Sequence, residues 1–306
     1  MSYVLPEEAA ARLAELAADR VAGAREIAGR LLHFIPPLLA EDVDPADVLV
    51  AVVAAVLPRQ PSMAALLAGA DRLFRAAARD GARAVEAEVA RQLGDYDRDL
   101  VRIAEAAEDV VRPLRSVAIL SWSSTVAAVL ERAPADLVVY VAESRPGAEG
   151  RRAAQRAANA GRRTIFLADA AFPAAAAEAD ALLLGGDALT KRGLLNKVGS
   201  RAAAREVAAA GRPVYACLED LKIVGGPLVD RLRVLDEPGS QLWESPPAGV
   251  VVRNRYFESV PLALLTAVVT AVGVESPGDA LERVGPEEPG PAWSRIPAPV
   301  AGVSPW

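Results

Sequence analysis

The sequence predicts an α/β protein, with a helical N-terminal domain followed by a Rossmann-like, doubly wound parallel-sheet domain. Three observations carry this. Up to about residue 113, apolar side chains recur at three- and four-residue spacing. From Ser116 onward, short β-branched runs alternate with alanine-rich helical stretches. The 306 residues exceed what one small core organises, so two domains are expected. The predicted boundaries are 1–113 for the helical domain, 114–284 for the ligand-binding sheet domain and 285–306 for a Pro-rich tail.

The helices come first. "PEEAAARLAELAADRVAGAREIAGRLLHFI" combines helical spacing with Ala, Leu, Arg and Glu, all strong helix formers. "PADVLVAVVAAVL" begins a further helix that Pro58 closes. "SMAALLAGADRLFRAAARDGARAVEAEVARQL", with Ser62 as its expected cap, and "DRDLVRIAEAAEDVVRPL" continue the pattern. Then come the strands "SVAILS", "LVVYVA", "RTIFLA", "ALLL" and "PVYACL". Between them lie "TVAAVLERA", "GRRAAQRAANA" and "GSRAAAREVAAA", which read as helices. The last 22 residues hold six prolines and no periodicity, an extended segment that its two tryptophans could pack.

Composition narrows the function. A net charge of −6 gives no general attraction to nucleic acid or to an anionic membrane, so neither is an expected partner. An anionic ligand must then be held by a local site. Cys217 is alone, and His33 in "RLLHFIPP" reads as a helix-face residue, so no disulfide, metal or cofactor is predicted. "MSYVLPEEAAARL" lacks the basic-then-apolar order of a signal peptide, and the apolar runs are too short or too broken to span a bilayer. A cytoplasmic location is expected. "SWSSTV" lacks dinucleotide-fingerprint glycines, and there is no Walker-type loop.

In open parallel sheets, ligands bind outside the carboxyl ends of the strands. Polar residues stand at each such end here: Ser121 to Thr125, then Glu143 to Pro146, Asp169, Asp187 with Asn196 and Lys197, and finally Glu219 to Lys222. Asp187 is expected to project from a strand end, with Asn196 and Lys197 at the N-terminus of the next helix, where amides and dipole favour an anion. Two of the chain's three lysines fall in this stretch. Phosphate is the ligand group this suggests. Taken singly, Ser123, Ser124 and Thr125 also suit helix capping, Arg145 suits a surface pair with Glu143 or Glu149, and Asp187 suits a turn.

Seven stretches in order resemble one family: "GAREIAGR", "QPSMAALL", "SWSSTVAAVL", "ESRPGAEGRRAAQ", "LLGGDALTKRGLLNKVGSRAAA", "GRPVYACLEDLKI" and "VVVRNRYFESVPLALLTAVVTAVGVESP". It comprises the alpha, beta and delta subunits of translation initiation factor 2B and their prokaryotic relatives. Methylthioribose-1-phosphate and ribose-1,5-bisphosphate isomerases share the fold. The resemblance implies a homodimer formed through the sheet domain and a sugar 1-phosphate held between the domains. It implies Asp187 as acid/base, Asn196 and Lys197 as substrate-binding residues, and Arg145, Glu149, Gly23 and Ala24 as further binding positions. Ser121 stands where the isomerases carry a catalytic cysteine. Ala22 and Gln60 stand where arginines are expected, with Arg59 displaced by one. Ser124 and Thr125 complete the serine-rich strand end, which resembles the initiation-factor side of the family. The expected function is binding of a ribose 1-phosphate-type sugar phosphate or a nucleoside monophosphate. The alternative is an aldose–ketose isomerase acting on a ribose 1-phosphate derivative, with Asp187 and Ser121 catalytic.

Overall fold

The computed structural model describes residues 3–19, 22–285 and 288–297. Its N-terminal part is helical. Helix α1 (Glu7–Ala18) and helix α2 (Ala24–Phe34) turn Leu13, Leu16, Ile27 and Leu31 into a common core. Between them the backbone turns at Asp19, whose carboxylate accepts from the Ala22 N–H at 2.9 Å. Helix α3 (Pro45–Val56) starts behind Asp44, which caps the Ala46 N–H at 2.9 Å. The two helical stretches that follow form one helix, α4 (Ala64–Ala106), bent where Asp80 and Gly81 leave helical geometry. A short α5 (Glu108–Val111) completes this layer. Ser62 does not cap α4. The capping position belongs to Met63, and the Ala64 N–H donates instead to the Asp187 carbonyl at 2.9 Å. That bond ties the long helix to the sheet.

The five expected strands appear: β1 (Ser116–Ile119), β2 (Val138–Ala142), β3 (Thr164–Leu167), β4 (Ala181–Leu184) and, after the small strands described next, β7 (Val214–Cys217). Helices α6 (Ser124–Glu131), α7 (Gly150–Asn159), α8 (Phe172–Ala176) and α9 (Ser200–Ala209) connect them. Two strands not expected from the sequence, β5 (Ala188–Thr190) and β6 (Gly193–Lys197), lie between β4 and α9. After β7 come a small pair, β8 (Asp236–Glu237) with β9 (Asn254–Arg255), then β10 (Phe257–Val260), β11 (Ala267–Val269), β12 (Val274–Glu275) and helix α10 (Pro277–Val284).

The main sheet runs β12-β11-β7-β4-β1-β2-β3, parallel except for β12. Beyond β1 the chain proceeds to β2 and β3 on one side, and β4, β7 and β11 fill the other. The order therefore switches between β1 and β4, where a crevice opens at the carboxyl edge. Strand β4 is buried along its whole length, which explains its unbroken "ALLL". A second sheet, β10-β6-β5, stands at that same edge. Within the Pro-rich segment, Trp293 packs edge-on against Phe74 of α4 at 5.2 Å, and its indole N–H donates to Asp71 at 2.7 Å. Trp306 lies outside the described residues. No helix among them is long and apolar enough to cross a membrane.

Candidate functional site

The crevice is built from two tight strand ends. Ser121 follows β1 with a left-handed backbone (φ 64°), and its N–H donates to the Ser144 hydroxyl at 2.8 Å. Ser144, after β2, is itself held by Asp169 after β3. The Asp169 carboxylate accepts from the Ser144 N–H at 2.6 Å and from the Arg145 N–H at 2.7 Å. One chain of hydrogen bonds thus runs across three adjacent strand ends. Ser123 caps α6, accepting from the Val126 N–H at 3.2 Å, as its residue type allows.

At the end of β4 the double glycine is a packing requirement. A Cβ on Gly185 would lie 2.7 Å from the Ser123 side chain, and one on Gly186 2.6 Å from a Leu194 methyl. Asp187 follows, fixed through its backbone. Its N–H donates to the Leu195 carbonyl at 2.8 Å, while its own carbonyl accepts from α4. The carboxylate is half-buried, with the cavity as its open side, and no described residue donates a hydrogen bond to it.

Asn196 and Lys197 are not at a helix N-terminus, as the sequence suggested. They close β6, which folds back on β5 through Lys191 and Arg192, pairing Ala188 with Leu195 and Leu189 with Leu194. This hairpin is what brings them beside Asp187, since helix α9 starts only at Ser200. The Asn196 amide donates to the Ser200 hydroxyl at 2.9 Å. The Lys197 ammonium lies 2.7 Å from the Glu149 carboxylate and 4.1 Å above the Tyr256 ring. A second pair, Lys222 with the fully buried Glu219, stands at 2.9 Å at the end of β7.

These groups surround a cavity of about 350 Å³ between the helical layer and the sheet edge. Gly23, Ala24, Arg25 and Arg59 line it from the helical side. Ser121, Ser124, Glu149, Asp187, Asn196 and Lys197 face them. Helix α2 begins here behind Gly23 with no side-chain cap, which presents first-turn amides to any anion. Burial pushes the Asp187 carboxyl up to about 6, against the pull of Lys222 and Lys197 and with the help of Glu219 and Glu149. An acid of that strength exchanges protons near neutral pH.

Two sequence candidates are elsewhere. Thr125 is fully buried behind the first turn of α6, because one helical step rotates it away from Ser124 and into the core. Arg145 has an exposed side chain and does not line the cavity, and what it supplies at this edge is its backbone N–H, donated to Asp169. Gln60 lines the cavity, but its amide donates to the carbonyls of Ala17 and Asp19, tying down the end of α1. The sequence reading missed Arg25, Arg152, Lys222 and Tyr256 as cavity residues. Trp122 also lines it, with the Arg152 guanidinium 4.1 Å from its ring. Only Lys222 carried a sequence signal, as a polar residue beyond a strand end.

Residues 47–277 match the model of the Initiation factor 2 subunit family, and the chain belongs to that family. It is 27% identical over 149 residues to ribose 1,5-bisphosphate isomerase of Methanocaldococcus jannaschii, covering 47% of this chain and 48% of that protein. With the ribose 1,5-bisphosphate isomerase of Archaeoglobus fulgidus it shares 27% identity over 197 residues, or 60% and 62% of the two chains. The chain thus spans about half to three fifths of the length of these relatives. Among solved structures, translation initiation factor eIF-2B of Pyrococcus horikoshii superposes with a TM-score of 0.78 at 22% identity, covering 90% of this chain and all of that one. The 5-methylthioribose 1-phosphate isomerase of the same organism gives 0.63 at 17% identity, covering 90% and 87%. Both share the fold, a helical N-terminal part followed by a mostly parallel sheet.

Proposed function

We propose that this chain is an aldose–ketose isomerase acting on a ribose 1-phosphate derivative held in the cavity. The observation that carries the reading is Asp187, a carboxyl without a hydrogen-bond donor among the described residues, pushed up to about 6 and facing the cavity beside Asn196 and Lys197. The similarity to the ribose 1,5-bisphosphate isomerases of Methanocaldococcus jannaschii and Archaeoglobus fulgidus supports it.

The chemistry follows from the substrate class. With phosphate on C1, the sugar has no free aldehyde, so the bond from C1 to the ring oxygen must break first. Asp187 in its protonated form donates to that oxygen as the bond breaks. A hydride then passes from C2 to the electron-poor C1. The 2-hydroxyl gives its proton back to the Asp187 carboxylate, leaving a ketone at C2. One C–O bond is lost, one hydrogen changes carbon, and no external oxidant is needed. The hydride route suits this residue set, because the Ser121 hydroxyl is far too weak an acid to replace a thiol. Phosphate is assigned to the α2 N-terminus at Gly23 and Ala24 with Arg59. Asn196, Lys197, Glu149 and Ser124 are assigned to the sugar. A homodimer through the sheet domain and a cytoplasmic location belong to the same proposal.

Incubation with methylthioribose 1-phosphate and with ribose 1,5-bisphosphate, followed by NMR, tests it. A ketose product from either supports the reading, and no product from both sinks it. A second reading has one observation in its favour: Ser121 at the end of β1. In that case the protein binds sugar phosphates or nucleoside monophosphates without turnover, and thermal stabilisation by ligand appears with no product.

A further inference from the structure

Beside the cavity, three buried polar atoms from separate elements have no hydrogen bond among the described residues: Nη1 of the cavity-lining Arg25, Tyr96 Oη and Glu219 Oε1. Glu219 is 1% exposed and Tyr96 4%, so neither is served by bulk solvent. Buried donors and acceptors are almost always paired, and three orphans in one cluster point to a group that completes it. Arg25 Nη1 and Glu219 Oε1 stand 4.0 Å apart, and the Arg25 guanidinium lies 5.6 Å from the centre of the Tyr96 ring. A gap of that size is too long for a hydrogen bond. It is close to what one hydroxyl oxygen spans when it sits ~2.8 Å from each side.

The charges select the guest. An anion would meet Glu219, and a cation would meet Arg25 and Lys222. A neutral group that donates to the carboxylate while accepting from the guanidinium suits both. Arg25 and Lys222 line the cavity, and among the described residues Arg25 otherwise forms an ion pair only with the exposed Asp97, at 3.1 Å, so its side chain is the wall that can yield. We propose that Arg25 and Glu219, flanked by Lys222 and Tyr96, form a hydroxyl subsite that makes the cavity selective for a sugar with its ring hydroxyls intact. This rests on the sugar-phosphate reading above and adds the groups that read the sugar.

Calorimetric titration with ribose 1-phosphate and with its 2-deoxy and 3-deoxy analogues tests it. One analogue should bind the unchanged protein ~10-fold or more weakly than ribose 1-phosphate. In Arg25→Met that ratio should fall to within ~2-fold, whatever happens to overall affinity. Glu219→Gln, which keeps an acceptor but removes the charge, should shrink the ratio as well, and it carries the test if Arg25→Met does not fold. Equal binding of all three sugars by the unchanged protein would mean the gap holds only water and overturns the subsite alone. Equal weakening of all three in Arg25→Met would do the same, making Arg25 a phosphate contact. No binding of ribose 1-phosphate to the unchanged protein overturns both readings together.

Discussion

Replacing Asp187 with asparagine should make the protein more stable at neutral pH and inactive. The native carboxyl keeps its proton up to about 6, against an ordinary value of 3.8. That difference of about two pH units corresponds to at most ~3 kcal/mol. The open side toward the cavity reduces it to about 2 kcal/mol. The sign is fixed by which state holds the proton more tightly. Between pH 4 and 6 the folded state binds more protons than the unfolded one, so this group's contribution is intact below pH 4. It is lost as pH rises through 6. Asparagine has a similar shape and no charge to desolvate. The variant should therefore match the parent near pH 4 and exceed it by about 2 kcal/mol at pH 7.5. Urea unfolding at both pH values reads this directly, provided the slopes agree. Turnover should fall ~10²–10⁴-fold, the usual worth of a general acid. A variant that is less stable at pH 7.5, or equally stabilised at both values, would show that Asp187 is a structural carboxylate and not a strained acid.

Three further outcomes follow from the same geometry. Lys197→Met leaves Glu149 in a largely enclosed wall without its cation, and should cost about 2–4 kcal/mol in urea unfolding as well as ligand affinity in calorimetry. Gly186→Ala drives a methyl to within 2.6–2.7 Å of Leu194 and Leu218, and should lower stability by ~1–3 kcal/mol in thermal melts. Asp169→Ala removes the acceptor for two backbone N–H groups, and should cost roughly 2–4 kcal/mol and weaken sugar-phosphate binding as Ser121 loses its hold. Asp169→Asn, with one acceptor left, should fall between the two.

Much of this was legible in the sequence because parallel sheets are simple to read. Runs such as "LVVYVA" and "ALLL" carry no polar face, which only a sheet covered on both sides tolerates, and polar residues then mark the carboxyl edge. The β5–β6 hairpin is not legible in the sequence for a local reason. Its turn residues are Lys191 and Arg192, without the Asn-Gly or Gly-Gly chemistry that announces a hairpin, and β5 has three residues. Without that hairpin the sequence pattern assigns Asn196 and Lys197 to the start of the next helix, whereas β6 carries them to the cavity beside Asp187. Thr125 was misplaced by one helical step. Arg25 and Tyr96 could not be found at all, since α2 and α4 meet Glu219 only through tertiary packing.

The two Lys–Glu pairs explain how a carboxyl beside two lysines can still hold a proton. An ammonium a few ångströms away normally keeps a carboxylate ionised. Here Glu149 sits 2.7 Å from Lys197 and Glu219 2.9 Å from Lys222, so each cation is largely cancelled where Asp187 feels it. Burial then decides, and Asp187 rises. The same cancellation keeps positive charge from opposing an electron-poor C1 during the hydride shift. It also lets Glu149, after burial, the two lysines and Glu219, contribute to the acid's working range. Glu149→Gln keeps a hydrogen bond to Lys197 but frees its charge, so Asp187 should become the stronger acid. The falling limb of the pH–rate profile, expected near pH 6, should move to lower pH. Lys197→Met should move it the other way. Shifts in the same direction for both variants, or none, would mean that Asp187 does not sense this pair and that its proton is set by burial alone.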